Sequence, residues 1–395
     1  MMMFDTAKFL LEMESNQWKS QSELEEIQQA KLRQLIAHAE TQVPYYKNHG
    51  TSKILKKSDV RSKPSDFIST QHGSLIETHT SGSTGMPMRI CSDLRENAFG
   101  VAFELHHLFE TGHGILDTQA KISHTASSPN ILQRIGILEC HYLDVQAPEI
   151  SILDKLKKLK ADSLNCYPSF LNHLARINDG LRFKRIYCGG EVLTEKTRKA
   201  AEESFSCKVF NRYGSMETSW FAWECEKGSM HIQADQFVVE IVDGSGKPAK
   251  SGNILVTPLW RRTMPFIRYA LGDRASWGSR CTCGRSLPTL KSIEGRLDDA
   301  IILPSGKVRS ARSINLMDEF DEIISYRIIQ EKKDLFVFRY VPAKKDISST
   351  VKKQIENIII KGCLNEKVKV EFEPVNKLQR TRTGKIRTVI SKVKK

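Results

Sequence analysis

The sequence predicts an α/β fold in which a large, layered N-terminal domain with a β-rich subdomain precedes a small α+β C-terminal domain. Short apolar strands alternate with turns and polar helices from Arg185 onward, a pattern typical of a sheet layered with helices. Between Phe237 and Trp260 the pattern changes to β-hairpins around a Gly244–Gly246 turn. Beyond Asp299, two apolar strands flank one amphipathic helix. A chain of 395 residues is long enough for two to three domains.

The N-terminal elements are predicted from capping signals and apolar spacing. Ser22 followed by Glu25 predicts a capping box, and the helix after it ends before Pro44. Six apolar residues of this helix recur at helical spacing: Leu24, Ile27, Leu32, Leu35, Ile36 and Ala39. The stretch 75–89 is strand-like and runs into T-S-G-S-T-G-M-P, whose glycines and hydroxyls suit a turn that cradles phosphate. Alone, such a segment is more often a plain surface turn.

The C-terminal elements are predicted from two strand patterns, near 334–341 and 367–372. The helix between them carries four apolar residues on one face: Val351, Ile355, Ile358 and Ile359. The last residues of the chain are strongly basic.

Charge and cysteine content restrict the partners and the compartment. Sixty Lys and Arg against 46 Asp and Glu leave a net charge of +14, which favours anionic partners. No stretch resembles a signal peptide, and no run approaches the roughly 20 apolar residues of a membrane helix, so we expect no membrane contact. Nine cysteines, an odd number, indicate free or metal-bound thiols in a reducing cytoplasm.

Six short motifs follow one another at domain-scale spacing. The Gly/Ser/Thr segment is followed by C-G-G-E (188–191), N-R-Y-G-S-M-E-T (211–218), I-R-Y-A-L-G-D (267–273), E-G-R-L-D-D (294–299) and R-T-R-T-G-K-I-R (380–387). Together they resemble the adenylate-forming superfamily of acyl-CoA synthetases, adenylation domains and luciferases. The greatest similarity is to the phenylacetate-CoA ligase and CapK-like branch, for which Q-V-P-Y-Y-K at 42–47 is also typical.

This resemblance covers nearly the whole chain and implies an ATP site between a large domain, residues 1–298, and a small mobile domain, residues 299–395. It assigns ATP binding to Thr80, Ser81, Gly82, Ser83, Thr84, Gly85, Gly190, Glu191, Arg212, Tyr213, Gly214, Asp273 and Arg296. Hydroxyls and backbone N–H groups of the loop would hold the β- and γ-phosphates. Tyr213 would stack on adenine, and the Asp273 carboxylate would accept hydrogen bonds from the ribose.

The resemblance also implies the catalytic groups. Glu217 would help to hold Mg²⁺, because this hard cation prefers oxygen ligands. Lys385 would offset negative charge as the acid approaches the α-phosphate, and Asp298 would be the hinge of the small domain. Candidate pocket residues for a small-molecule carboxylic acid, aryl or small acyl, are Tyr167, Tyr187, Ser215 and Met216.

A second set of residues predicts a metal centre. Cys225, His231, Cys281 and Cys283 supply three thiols and one imidazole, a closed tetrahedral set typical of structural zinc. The C-x-C spacing is tighter than the usual C-x-x-C, but similar elements occur in the phenylacetate-CoA ligase branch, some members of which bind zinc. The alternative is four side chains without metal in neighbouring loops.

Two departures from the family pattern bear on the activity. Met86 stands where many members carry lysine, which lowers the positive charge near the γ-phosphate. The run after Asp299 differs from that near the pantetheine channel of typical CoA ligases, and it resembles CapK-like relatives. The acceptor could therefore be CoA, the pantetheine of an acyl carrier protein, an amine or a hydroxyl.

We therefore predict an ATP-dependent ligase that forms an acyl-adenylate and passes the acyl group to a thiol, or alternatively to an amine or hydroxyl. A zinc-containing nucleic-acid-binding protein is a rival, motivated by the net charge of +14, but aromatic and basic residues are not interleaved. We therefore expect no nucleic-acid partner. A third reading is a degenerate member that binds nucleotide as a regulator, which only Met86 favours.

Overall fold

The computed structural model describes residues 2–80, 88–124, 133, 135–296, 300–314, 320–381 and 387–393. Within these ranges, the α-helices are α1 Met2–Asn16, α2 Gln21–Gln42, α3 Pro44–His49, α4 Lys57–Ser62, α5 Leu94–Glu110, α6 Glu149–Leu159, α7 Pro168–Ile177, α8 Glu195–Phe205 and α9 Ser349–Gly362. The strands are β1 Ile76–His79, β2 Arg89–Ser92, β3 Gln119–Ser123, β4 Cys140–Asp144, β5 Ser163–Cys166, β6 Arg185–Gly189, β7 Lys208–Ser215, β8 Ser219–Glu224, β9 Met230–Ile232, β10 Phe237–Val242, β11 Ser251–Pro258, β12 Tyr269–Trp277, β13 Thr289–Arg296, β14 Ala300–Ile302, β15 Val308–Ser310, β16 Ile323–Lys332, β17 Leu335–Pro342, β18 Lys369–Pro374 and β19 Val389–Ser391.

The predicted N-terminal helix is α2, but its capping box lies two residues earlier than the sequence indicated. Ser20, not Ser22, accepts a hydrogen bond from the Glu23 backbone N–H, and the Glu23 carboxylate accepts one from the Ser20 backbone N–H. The segment S-Q-S-E-L-E contains the S-x-x-E spacing twice. Use of the earlier pair lengthens the helix and adds backbone hydrogen bonds, which is why the later prediction was wrong.

The chain packs into two compact units. The first comprises Met1–Ile115 and Phe210–Gly295, and the second comprises Leu116–Val209 and Arg296–Lys395. The boundary at residue 298 inferred from the family resemblance stays a prediction.

The first unit contains the β-rich part. Its strands follow one another in the order β10-β11-β12-β13-β9-β8-β7, and β1 pairs with β2 in a separate hairpin. The predicted hairpin between Phe237 and Trp260 is confirmed as the antiparallel pair β10–β11. Large buried aromatic residues fill the core, and Phe99 of α5 stacks on Trp260 with ring centroids 4.2 Å apart.

The second unit contains a parallel sheet with the strand order β6-β5-β3-β4. Helix α6 joins β4 to β5, and α7 joins β5 to β6. Because parallel strands end at the same edge, the residues that follow β5 and β6 lie at one rim of this sheet, the usual position of ligand sites in such folds. Gly190 follows β6 with a φ of +79°, a backbone conformation that glycine adopts readily.

The C-terminal part of the second unit has a core of its own, separate from that of the parallel sheet. Its sheet has the order β18-β17-β16-β19, and α9 covers it through Val351, Ile355 and Ile359. Ser348 caps α9 by accepting a hydrogen bond from the Val351 N–H. The predicted α/β class, with its small α+β C-terminal part, is confirmed.

No helix in the part of the chain that the structure describes has the length and apolar character needed to cross a membrane.

Candidate functional site

The Gly/Ser/Thr segment lies between the strands of the β1–β2 hairpin. Thr80 is buried at the base of the segment, where its N–H donates to the Met88 carbonyl at 3.0 Å. The Met88 N–H in turn donates to the Thr80 hydroxyl at 2.9 Å. These two bonds hold the ends of the loop together. The loop itself, including Ser81–Gly85, lies outside the described residues.

The motif N-R-Y-G-S-M-E-T forms the end of β7 and the turn into β8. A Cβ atom at Gly214 would lie 2.3 Å from the Ser219 carbonyl oxygen, so only glycine fits there. The Thr218 N–H donates to the Ser215 hydroxyl and closes the turn. Ser215, a predicted pocket residue, therefore has a structural hydrogen bond, whereas the Met216 side chain is half-exposed.

The motif I-R-Y-A-L-G-D runs into β12 and includes a bulge in that strand. Ala270 pairs with Leu255 and Arg274 with Asn253, so three residues of β12 lie opposite one residue of β11. Gly272 has a φ of +83°, which permits this bulge, and bulges re-aim side chains next to functional sites. The next residue, Asp273, accepts a hydrogen bond from the Tyr213 hydroxyl at 2.7 Å.

Glu217 is held by two side chains that the sequence analysis missed. Its carboxylate is almost completely buried and pairs with the Lys57 ammonium at 3.0 Å. The Tyr269 hydroxyl donates to the same oxygen at 3.1 Å. A buried carboxylate needs a cation, and here a lysine from α4 supplies it. Tyr269 belongs to the I-R-Y-A-L-G-D motif, so the motif could have pointed to this residue. No sequence pattern pointed to Lys57.

Arg212 is also buried, next to Tyr213 on β7. Its guanidinium lies 3.5 Å from a Glu104 carboxylate oxygen and 4.9 Å from the centre of the Trp220 ring. These contacts fix the arginine in the first unit, where it anchors β7.

Three further predicted residues lie in the parallel sheet or directly after its strands. Tyr167 follows β5 directly, and burial, with the nearby Glu191 carboxylate, raises its pKa. Glu191 accepts a hydrogen bond from the Ser169 N–H in the first turn of α7, at 3.0 Å. Tyr187 lies within β6 and is completely buried.

The last three predicted residues are Arg296, Asp298 and Lys385. Arg296 is the last residue of β13. Asp298 and Lys385 lie outside the described residues, so their roles as hinge and catalytic lysine stay predictions.

The cysteine and histidine residues converge as the sequence predicted. One donor atom from each of Cys225, His231, Cys281 and Cys283 lies within 4.8 Å of every other, and we call these four residues the thiol–imidazole cluster. The sulfurs of Cys225 and Cys281 are 3.7 Å apart, and the Cys283 sulfur lies 3.3 Å from His231 Nε2. A tetrahedron with Zn–S bonds of about 2.3 Å has sulfurs about 3.8 Å apart, so the spacing fits zinc.

The surroundings of this cluster also suit a metal. His231 Nδ1 lies 3.2 Å from the Leu287 carbonyl, which leaves Nε2 facing the sulfurs. Burial raises the pKa of the Cys225 thiol to about 12, so a thiolate there requires a cation.

Arg285, two residues after Cys283, is a further residue of this region that the sequence patterns did not identify. Arg285 is buried, donates from Nε to Gln17 at 2.8 Å, and pairs with Glu110 and with Glu226. It connects the loop of the cluster to the residue that follows α1 and to the end of α5. Another group of possible metal ligands consists of Glu14, His106 and Glu110. The Arg285 guanidinium already pairs with the Glu110 carboxylate and offsets the negative charge of this group.

Residues 304–392 match the CapK C-terminal domain family. The chain is 24% identical over 368 residues to Protein CapK of Staphylococcus aureus, covering 86% of this chain and 79% of that protein. It is 28% identical over 195 residues to phenylacetate-coenzyme A ligase of Thermus thermophilus, covering 45% and 44% of the two chains. The resemblance drawn from the motifs is thereby confirmed.

Solved structures share the fold. A 2-hydroxyisobutyryl-CoA ligase in complex with 2-HIB-AMP superposes with a TM-score of 0.76 at 19% identity, covering 95% of this chain and 91% of that one. The anthranilate CoA ligase AuaEII in complex with anthranoyl-AMP gives 0.57 at 15% identity, covering 78% and 65%. This chain therefore has the fold of the acyl-CoA ligases.

Proposed function

We propose that this chain is an ATP-dependent, adenylate-forming ligase that joins a carboxylic acid to AMP and releases pyrophosphate. The observation that carries the proposal is the Tyr213–Asp273 hydrogen bond, because it joins two of the six motifs in a chain with the acyl-CoA ligase fold. Similarity to a phenylacetate-coenzyme A ligase supports the same class of enzyme.

The nucleotide would bind across β7 and β12. The Asp273 carboxylate has two oxygens, so it can accept from a ribose hydroxyl as well as from Tyr213. The Tyr213 ring is held edge-on against Phe221 with centroids 4.9 Å apart, which orients it for stacking on adenine. Thr80 would hold the base of the phosphate loop in place.

Mg²⁺ would be held by Glu217. The buried carboxylate of this residue is paired with the Lys57 ammonium, so it already lies next to one cation. A carboxylate oxygen is a suitable ligand for this hard ion, which would offset charge on the phosphates. Displacement of Lys57 would leave its ammonium next to the bound nucleotide.

The reaction needs little chemistry from the protein beyond orientation and charge. One oxygen of the substrate carboxylate attacks the α-phosphorus in line, and the bond to the bridging oxygen breaks as pyrophosphate leaves with the electron pair. We propose that Lys385 offsets the negative charge that accumulates as two anions approach.

We also propose the chemical class of the acid and of the acceptor. We infer an aryl or small acyl acid and a thiol acceptor, CoA or carrier-protein pantetheine. An amine or hydroxyl acceptor is the alternative. A cytoplasmic location stays a prediction.

The thiol–imidazole cluster is a second proposal. Three thiolates and one imidazole would hold zinc with no position left for substrate, so the metal would stabilise the fold rather than take part in the reaction. Cys281, Cys283, Cys225 and His231 would join the β12–β13 loop to β8 and β9.

The direct test of the proposed function is exchange of labelled pyrophosphate into ATP, measured with a broad panel of carboxylic acids. We expect exchange with at least one acid, and a loss of about 10²-fold or more in Lys385→Ala. Lys353→Ala, an exposed lysine on α9, is the matched control and should retain activity. No exchange with any acid, or full exchange in Lys385→Ala, would contradict the proposal.

A further inference from the structure

Arg380 lies five residues before Lys385 in the basic C-terminal stretch, yet its side chain is only 6% exposed. The guanidinium packs against the parallel-sheet layer of the second unit. Its Nη1 donates to the Ser169 hydroxyl at 3.3 Å, and the guanidinium carbon lies 4.8 Å from the centre of the Phe170 ring. Nη2 lies 3.7 Å from a Glu149 carboxylate oxygen. Three different contacts thus hold one side chain.

Burial of this guanidinium is unfavourable without compensation. It loses hydration, which lowers its pKa, and it lies near the first turn of α7, where the helix dipole repels a cation. The carboxylates of Glu191 and Glu149 oppose both effects. An arginine in a basic stretch normally remains in solvent, so this docking reflects a specific arrangement of two carboxylates and one ring.

The contacts of Arg380 continue to Glu191, one of the predicted ATP-binding residues. Ser169 accepts from Arg380 through its hydroxyl and donates through its backbone N–H to Glu191, at 3.0 Å. Gln146 also holds the chain beside Arg380, because its amide donates to the Thr381 carbonyl at 3.0 Å. The segment that leads to Lys385 is therefore fastened at two consecutive residues.

A separate set of contacts holds the C-terminal sheet near α7 and α8. Arg176 donates to the Ile323 carbonyl at 3.1 Å, and Lys196 pairs with Asp321 at 2.5 Å. Loss of Arg380 would therefore release the segment before Lys385 without detaching the whole sheet.

We propose that Arg380 is a positioning residue, which binds Glu149, Ser169 and Phe170 and so fixes the chain at residues 380 and 381, from which Lys385 acts in adenylate formation. The inference rests on the proposed function. Arg380 acts through Lys385 and contributes to the rate of the step rather than to the affinity for ATP.

The test compares Arg380→Ala with Arg380→Lys, Glu149→Ala and the Arg380→Ala/Glu149→Ala double variant. Lys377→Ala is the matched control, since it removes an exposed charge from the same segment. Pyrophosphate exchange is measured with the acid found active. We expect kcat to fall about 10²-fold in Arg380→Ala with the KM for ATP within about twofold, because small misplacements reduce rates that strongly.

The other variants separate docking from general destabilisation. Arg380→Lys should recover part of the lost rate, since lysine restores the charge but not the forked contact. The double variant should be no slower than Arg380→Ala, because both changes remove the same interaction. Equal rates in Arg380→Ala and Lys377→Ala, or a rise in KM with kcat unchanged, would overturn the proposal.

Hydrogen–deuterium exchange tests docking without any substrate. Peptides covering 168–173 and 376–381 should exchange about tenfold faster in Arg380→Ala than in the wild type or in Lys377→Ala. If the wild type activates no acid but these peptides respond, the proposed function fails and the docking stands. If the peptides do not respond, Arg380 does not hold the segment, whatever the activity.

Discussion

The thiol–imidazole cluster and a second set, Tyr213, Asp273 and Glu217, lie in the same unit and are built from neighbouring strands. The two sets differ in what their polar atoms face. In the cluster, sulfur and nitrogen atoms face one another, and His231 Nδ1 is directed to the Leu287 carbonyl. In the second group, the carboxylates face a hydroxyl or an ammonium, at 2.7 Å for Asp273 and 3.0 Å for Glu217.

This difference leads us to expect different roles for the two groups. A set of four converging donors is complete once one metal ion binds, so the free energy of metal binding stabilises the folded state. A carboxylate paired with a flexible lysine or with a hydroxyl can exchange that partner for a ligand. We therefore expect changes in the cluster to lower stability, and changes in the second group to lower activity in a folded protein.

The largest effect is expected from removal of a cluster ligand. Cys281→Ser should lose bound zinc and about 5 kcal/mol or more of unfolding free energy, because the metal binds only the folded chain. Elemental analysis and urea unfolding measure the two quantities, and Cys140→Ser, outside the cluster, is the control. A wild-type protein that contains no metal and a Cys281→Ser variant of equal stability would refute the structural-zinc proposal.

The next effect is expected at Arg285, beside the cluster. Arg285→Met should lower the unfolding free energy by about 3–5 kcal/mol, because it leaves Glu110 buried without its cation. Arg268→Met is the control, since the Arg268–Glu240 pair is partly exposed and is worth about 1 kcal/mol or less. Equal losses in the two variants by urea unfolding would show that Arg285 has no special role.

A smaller effect, on activity alone, is expected at Asp273. Asp273→Asn keeps an oxygen for the Tyr213 hydroxyl but loses the charge and the second acceptor. The kcat/KM for ATP in pyrophosphate exchange should fall about 10²-fold, which is about 2.7 kcal/mol, with little change in urea unfolding. A loss of stability of the same size would instead place Asp273 with the structural residues.

The smallest effect is expected from Tyr213→Phe. This change removes one hydrogen bond and keeps the ring, so kcat/KM for ATP should fall by about 2- to 10-fold, equivalent to about 0.5–1.5 kcal/mol. Tyr213→Ala, which also removes the ring, should lose more. If Tyr213→Phe and Tyr213→Ala are equally impaired, the ring does not stack on adenine.

Much of the local structure could be predicted. The C-terminal helix and the hairpin after Phe237 follow from apolar periodicity, which depends only on neighbouring residues. The capping box was misplaced because S-x-x-E occurs twice, and spacing alone does not distinguish the two. The convergence of Cys225, His231, Cys281 and Cys283 was predicted from residue type, since thiols and imidazole suit one metal.

Residue identity and spacing are thus sufficient to predict the α/β class, the order of the motifs and a set of residues able to hold a metal, because these depend on local periodicity and on what each side chain can bind. The partners of the charged groups come from packing alone. Lys57 meets Glu217, Arg285 meets Glu110 and Arg380 meets Glu149 across long stretches of chain. Strand register, the β12 bulge and helix placement bring such residues together, and no spacing along the chain encodes those distances.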